Sequence, residues 1–312
     1  MSTTHDTTRN ESNTINTLVL IVKTWFAIMY EMILSIYRLI VPVPEKSVKG
    51  EVVLITGAGH GIGKELALQF ASLGATVVCW DINKESNEQT VTEISAAGYP
   101  KAYAYVCDIS NRQTVLDVAE RVQSEVGNVS VLVNNAGIMP CRPFLKHTDQ
   151  DIRSVFEINV MSHFWTLEAF LPNMLENNHG HVIALSSMAG IAGIRNLVPY
   201  CASKFAVRGL MESLREELRE TIRNTNVNFT TIYPYMVDTG LCKNPHSRFP
   251  SIFAPVATDL AARKIISAVR RNMKELAIPE YFMYINTTVR NFPENVAILV
   301  KDFMECFVEP DL

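Results

Sequence analysis

Glu51-Val52-Val53-Leu54-Ile55-Thr56-Gly57-Ala58-Gly59-His60-Gly61-Ile62-Gly63 is the stretch that decides the fold. It opens as an apolar run rich in β-branched residues and passes into a glycine-rich turn. After the turn, Ile62, Leu66, Phe70 and Leu73 recur on one helical face. This order predicts strand, tight turn, helix. Glycines allow the turn and let the backbone approach an anion closely. A helix starting near Ile62 aims its free N–H groups and positive dipole end at the same point. Thr56, Gly57, His60, Gly61, Ile62 and Gly63 are therefore candidate contacts for the pyrophosphate of a dinucleotide. A glycine-rich turn alone is weak; a plain strand-to-helix turn reads the same way.

Outward from this point, short β-rich runs alternate with helical patterns. The expected strands are Glu51–Thr56, Ala75–Trp80, Ala102–Cys107, Ser130–Asn134, His181–Ser186, Val227–Tyr233 and Glu275–Pro279. Between two of them, Val115, Val118, Val122 and Val126 keep helical spacing. Such alternation predicts an α/β fold, a Rossmann-type doubly wound parallel sheet of about seven strands with helices on both faces. Right-handed crossovers put the ligand crevice at the carboxyl ends of the strands. Asp81 closes the second strand, where a carboxylate accepts both ribose hydroxyls and repels a 2′-phosphate. That favours NAD, although Lys84 nearby keeps NADP possible. A turn-capping role is the bland alternative for Asp81. Asp108, followed by Ile109, stands at the end of the third strand and suits either the adenine amino group or the cap of the helix starting near Asn111.

Tyr200-Cys201-Ala202-Ser203-Lys204 sets a phenol and an ammonium one helical turn apart on one face. A free phenol, with a pKa of about 10, is too weak an acid to serve as a base at neutral pH. A nearby cation favours the phenolate, and an oxidised nicotinamide adds to that effect. Ser187, at the end of an expected strand, can hold a substrate oxygen or simply cap a turn.

With these residues in view, the chain resembles the short-chain dehydrogenase/reductase family over about residues 48–280. The glycine motif matches at Thr56, Gly57, Gly61 and Gly63, and the NNAG motif at Asn134–Gly137. An asparagine matches at Asn159, a serine at Ser187, and YxxxK at Tyr200 and Lys204. The resemblance implies that Tyr200 is the acid/base, that Lys204 lowers its pKa and binds the nicotinamide ribose, and that Ser187 orients the reacting oxygen. It implies that Asn159 holds a relay water. It also lays Asn135, Ala136, Gly137, Pro234, Val237 and Thr239 along the cofactor. Tyr235 departs from the family's usual glycine after Pro234. That departure and the N-terminal segment are similar to a membrane-associated subgroup that includes retinol and 17β-hydroxysteroid dehydrogenases.

The N-terminal segment has three expected parts. Residues 1–14 are polar and read as a disordered tail. Residues 15–44 form an anchor helix and linker, and the catalytic domain covers 45–280. From Leu18 to Val41 the chain is apolar except for Lys23, Glu31 and Arg38, which share roughly a third of a helical wheel with Thr24 and Ser35. A helix lying in the membrane interface satisfies both faces; a tilted span with snorkelling charges and a soluble packing helix are the alternatives. Pro42 and Pro44 end the helix. The implied location is an intracellular membrane, endoplasmic reticulum or lipid droplet. At the other end, residues 281–312 read as an apolar extension with Val296, Leu299, Val300, Phe303 and Phe307 near one helical face; packing on the core is the leading reading, with a dimer contact or added membrane affinity as the alternatives. In the insertion 241–256, Phe249, Ile252 and Phe253 suit an apolar ligand, or pack on their own domain.

A net charge of −4 offers no basic excess for nucleic acid. The six cysteines lie in no CxxC or metal-ligand spacing, so no metal is expected and reduced intracellular thiols are. N-x-S/T sequons begin at Asn10, Asn128, Asn228 and Asn286; those at Asn128 and Asn228 abut strand-like runs and read as chance. The expected function is NAD(P)-dependent interconversion of a lipophilic alcohol, retinol or a hydroxysteroid, and its carbonyl. By family analogy the chain is a homodimer. Two other functions are weighed. One is an NADPH-dependent reductase of lipid aldehydes or ketones, separable by cofactor affinity. The other is an inactive membrane or lipid-droplet scaffold, which the presence of Asn159, Ser187, Tyr200 and Lys204 argues against.

Overall fold

The computed structural model describes residues 4–222, 225–250 and 253–310, with side chains from residue 16 onward except Leu39. Met1–Glu45 and Lys46–Leu312 are separate compact units. The first is one helix, α1 (Thr4–Ile40), whose segment Asn16–Arg38 is long and apolar enough to cross a membrane. The helix begins at Thr4, well before residue 15, so the part of the polar tail that is described is helical. Once a turn is nucleated, each added residue gains a backbone bond, and residues 4–14 contain no Pro or Gly to stop propagation.

The second unit carries a parallel sheet. Its strands are β1 (Val52–Thr56), β2 (Thr76–Asp81), β3 (Ala102–Val106), β4 (Val131–Asn134), β5 (Gly180–Leu185), β6 (Val227–Pro234) and β8 (Glu275–Ile278), in the order β3-β2-β1-β4-β5-β6-β8. Each lies within one residue of its expected ends. The order reverses between β1 and β4, which makes the crevice outside their carboxyl ends the ligand site of such a sheet. Residues along β1 alternate between two cores. Val53 and Ile55 face helices α2 (Gly61–Ser72), α3 (Lys84–Ala96) and α8 (Thr258–Arg270). Leu54 faces α4 (Arg112–Glu125), α6 (Ser162–Glu176) and α7 (Val198–Thr221). Burial on both faces is why these strands read as continuous apolar runs.

Two features escaped the sequence. A π-helical turn, Glu157–Met161, joins α5 (Asp149–Phe156) to α6. A small antiparallel pair joins β7 (Pro245–His246) to β9 (Phe307–Val308). The described C-terminal residues 281–310 therefore pack as part of the second unit. They form α9 (Tyr281–Arg290) and α10 (Glu294–Met304), then β9. Phe307 is not on the helix, because Glu305 adopts a left-handed φ of 48° and ends it. Nor is the whole expected face packed: Val296 and Val300 are half-buried, while Leu299 and Phe303 are exposed.

Two histidines are buried among the sheet and helices. The His181 Nε2 lies 2.8 Å from Thr230 Oγ1, whose hydroxyl donates to the Met273 carbonyl. Nε2 must then carry the proton, and Nδ1 accepts from the Lys46 ammonium at 3.2 Å. Burial, then the Lys46 charge, pushes His181 down to about 3; burial, then Lys204, does the same to His163. The unfolded chain binds protons at these histidines below about pH 6.5 and the folded chain does not. Their contribution is complete above that pH and is lost as pH falls toward 3, by a few kcal/mol per histidine at most. Urea melts from pH 7 to 4 should show a shallower acid loss in His163→Leu than in the wild type; equal slopes would contradict this.

Candidate active site

A cleft of about 330 Å³ opens at the carboxyl ends of the strands. Its lining holds Gly57, His60, Gly61 and Ile62 from the glycine turn, Asp81 at the end of β2, and Asp108 and Ile109 after β3. Asn135, Ala136 and Gly137 follow β4; Ser187 follows β5; Pro234, Val237 and Thr239 close β6; Tyr200 and Lys204 come from α7. The sheet thus gathers nearly every candidate residue at one edge. Three candidates stand behind the lining. Thr56 is buried, and its hydroxyl oxygen accepts from the amides of Asn135 and Ala136 at 3.0 and 3.1 Å, tying β1 to β4. Gly63 and Asn159 are the others.

The glycine turn fits a dinucleotide's pyrophosphate. Gly57 and Gly61 hold φ of 67° and 57°, where a side chain is strained. A Cβ on Gly63 would fall 2.0 Å from the Gly57 carbonyl oxygen. Only glycine permits α2 to start this close to the strand. Asp81 is fixed from both sides: Oδ2 accepts from the Gly59 amide at 2.8 Å and Oδ1 from the Asn83 amide at 2.9 Å. A carboxylate keeps further lone pairs for ribose hydroxyls. Asp108 does not cap the next helix. Its Oδ1 accepts from the Ser110 amide and hydroxyl at 3.0 and 2.7 Å, and Asn111 caps α4 through the Thr114 amide. A side chain one residue from the helix start reaches the cap position better than one three residues earlier.

Tyr200 and Lys204 lie one turn apart on α7 and both are buried. The Ser187 hydroxyl donates to the Pro234 carbonyl at 3.4 Å, and its oxygen accepts from the Ala189 amide at 3.1 Å. The Lys204 ammonium donates to the Leu185 carbonyl at 2.8 Å and sits 5.7 Å from the Tyr200 ring centroid. The expected lowering of the phenol pKa by Lys204 is not what the protein alone produces. Burial pushes Tyr200 up to about 12, opposed by the nearby Ser187 hydroxyl, and burial pushes Lys204 down to about 8. The cleft disfavours both charges, and the ammonium is turned to a main-chain oxygen.

Asn159 lies in the π turn with no exposed surface. Its Oδ1 accepts from the Ile138 amide at 2.9 Å, and its Nδ2 donates to the Ile138 carbonyl at 2.9 Å and the Ser203 hydroxyl at 3.1 Å. The amide thus pins the loop after β4 to α7. π turns inside helices gather at functional sites. Nothing in the residue pattern marks this one.

Part of the cleft is lined by apolar side chains. Met139, Met188, Leu197, Leu241, Cys242 and Val308 line it, none of them singled out from the sequence. Met139, Leu197, Leu241 and Cys242 lie in loops, Met188 in a single 3-10 turn and Val308 in two-residue β9, so none carries a periodic signal. Phe249 and Phe253 do not line the cleft. They join Tyr235, Phe282 and Phe303 in an aromatic cluster, with ring centroids 4.6 Å apart for Tyr235–Phe282 and 5.2 Å for Phe249–Phe303. Ile252 lies outside the described residues. Tyr235 replaces a glycine in the family pattern, and its ring anchors this cluster between the end of β6 and α9.

A strand order that reverses at a glycine turn, with a Tyr–Lys–Ser group at the same edge, defines a nucleotide-dependent oxidoreductase. The family description "short chain dehydrogenase" matches residues 51–248, and the chain belongs to that family. It is an enzyme of the CH–OH oxidoreductase kind. It is similar to short-chain dehydrogenase/reductase family 16C member 6 of Bos taurus, 46% identical over 81% of this chain and 80% of that one. It is 38% identical to epidermal retinol dehydrogenase 2 of Homo sapiens over 90% of each. With 17-beta-hydroxysteroid dehydrogenase 13 of Homo sapiens it shares 37% identity over 92% and 94% of the two chains. Among solved structures, a metagenomic short-chain oxidoreductase in complex with NADP is similar at a TM-score of 0.63 and 28% identity, over 74% of this chain and 97% of that one. A short chain dehydrogenase/reductase from Burkholderia phymatum in complex with NAD is similar at 0.60 and 29%, over 72% and 80%.

Proposed function

We propose that this chain is an NAD-preferring, membrane-anchored dehydrogenase of lipophilic alcohols, with retinol or a hydroxysteroid as substrate. The observation that carries this reading is the convergence of Tyr200, Lys204 and Ser187 on a cleft also lined by Met139, Met188, Leu197, Leu241 and Val308. Relatives named for retinol and 17-beta-hydroxysteroid oxidation support the substrate class. Ser187 holds the substrate hydroxyl against Tyr200. Tyr200 takes the hydroxyl proton as the carbinol hydrogen leaves. Lys204 stabilises the phenolate and binds ribose hydroxyls, and Asn159 holds a water that relays protons between Lys204 and solvent. A bound nicotinamide dinucleotide supplies the hydride acceptor and, when oxidised, a positive ring. Thr56, Gly57, His60, Gly61, Ile62 and Gly63 hold its pyrophosphate; Asp81, Asp108 and Ile109 hold its adenosine; Asn135, Ala136, Gly137, Pro234, Val237 and Thr239 hold its nicotinamide side.

The NAD preference rests on Asp81, whose carboxylate is fixed where a 2′-phosphate would lie. Lys84 does not offset it, since its ammonium faces Glu88 at 3.7 Å. Asp81→Ala should narrow the ratio of NAD to NADP affinity at least tenfold, about 1.4 kcal/mol. Titration calorimetry with both cofactors checks this, and an unchanged ratio removes the assignment.

The exposed apolar surface of α1 supports an anchor lying in the interface of an endoplasmic-reticulum or lipid-droplet membrane. Removing residues 4–40 should release activity into the soluble fraction; a truncated chain still in the membrane pellet argues against it. The apolar groove of Phe164, Leu167, Leu171, Leu175, Leu210 and Leu214 between α6 and α7 supports a homodimer, which a monomeric mass in detergent would refute. Membranes assayed with retinol, steroids and long-chain alcohols, each with NAD and NADP, test the whole reading. Turnover of none of them refutes it.

A further inference from the structure

The segment after α10 turns back across the cleft. Val308 is buried, lines the cleft, and packs in one cluster with Tyr200, Cys201, Leu197 and Cys141. Its main chain is held from several directions. It pairs with Pro245 of β7, and its carbonyl accepts from Asn196 Nδ2 at 3.0 Å. The Cys141 thiol reaches the Val308 and Glu309 carbonyls at 3.7 and 3.3 Å, and the Glu309 amide donates to the Asn244 carbonyl at 3.0 Å. Phe307 is clasped on two sides, with the Arg195 guanidinium 3.9 Å from its ring centroid and the His246 ring stacked at 4.5 Å. A side chain placed this firmly beside Tyr200 has little room to yield to a ligand. It also lies beyond the family match, which ends at residue 248.

We propose that Val308 is a specificity-determining residue, an apolar wall that limits the bulk of the alcohol admitted beside Tyr200. The inference rests on the proposed dehydrogenase reading and narrows it to a size rule. Cutting the side chain back opens space for bulkier alcohols; enlarging it excludes them. Discrimination by apolar volume of this order is worth roughly tenfold in kcat/KM.

The test uses the full-length membrane-bound enzyme with NAD. Butanol, octanol and a fused-ring secondary alcohol are compared in the wild type, Val308→Ala and Val308→Phe. The ratio of kcat/KM for the fused-ring alcohol to that for butanol should rise roughly tenfold in Val308→Ala and fall roughly tenfold in Val308→Phe. NAD affinity should stay unchanged. A residue that merely props the strap would scale all alcohols together, so equal ratios in wild type and Val308→Ala overturn the proposal even if Val308→Phe does not fold. Wild-type turnover with an unmoved ratio overturns the wall alone. No turnover of any alcohol, nor of the matching carbonyls with NADH, overturns both the wall and the dehydrogenase reading.

Discussion

Replacing Tyr200 with Phe is expected to lower kcat roughly 10²–10⁴-fold, the usual worth of a positioned acid/base group. Only the hydroxyl is lost, and the ring keeps its place among Leu197, Cys201, Cys141 and Val308. Dinucleotide affinity should therefore change little, because the pyrophosphate and adenosine contacts lie in the glycine turn and at the ends of β2 and β3, away from α7. Ser187 should show a related but smaller loss as Ala, since it orients the oxygen rather than takes its proton. Stopped-flow NADH formation together with NAD binding by calorimetry separates the two effects. A Phe variant that turns over like the wild type would remove Tyr200 from the chemistry.

The second large effect is expected at Gly63. A Cβ there would stand 2.0 Å from the Gly57 oxygen, 2.8 Å from its carbonyl carbon and 2.6 Å from Asn135 Nδ2. Two of these are main-chain atoms of the turn that would hold the pyrophosphate. Asn135 Nδ2 in turn donates to the Thr56 and Gly57 carbonyls at 2.9 and 3.2 Å, so no neighbour gives way cheaply. Gly63→Ala should weaken NAD binding by about two orders of magnitude, with a stability loss of about 1–3 kcal/mol or more from overpacking. Gly193, with no atom within 4 Å of its added Cβ, provides the contrast; Gly193→Ala should bind NAD normally. Equal affinities in the two variants would contradict the close approach of α2 to β1.

The sheet was legible because its strands are buried on both faces and bounded by turn residues. Such strands show as short apolar blocks wherever they sit in the chain, and Val52–Thr56 or Val227–Pro234 need no knowledge of the neighbours they pair with. The Tyr200–Lys204 pair was legible because helical spacing puts both on one face. Asn159 was not derivable from chemistry, because a π turn depends on packing rather than on a residue pattern. Asp81 was read correctly as a strand-end carboxylate, yet its amide bonds to Gly59 and Asn83 appear only when β1 and β2 lie side by side. Val308 was beyond sequence reasoning for a similar cause. Its place beside Tyr200 comes from a two-residue pairing with β7, a contact across more than sixty residues with no periodic trace. The apolar face read along 296–307 broke at Glu305, whose left-handed turn frees Phe307 and Val308 to cross the cleft.

The buried cleft raises Tyr200 and lowers Lys204, so the phenol works near neutral pH only if positive charge beside it outweighs burial. The pH dependence of alcohol oxidation, measured by single-turnover NADH formation in wild type and Lys204→Met, tests this coupling directly. The rising limb should move to higher pH by about one unit or more in the variant, as removal of a nearby cation requires. A slower variant whose limb stays at the wild-type pH would show that Lys204 only props the Leu185 carbonyl and would contradict the mechanism.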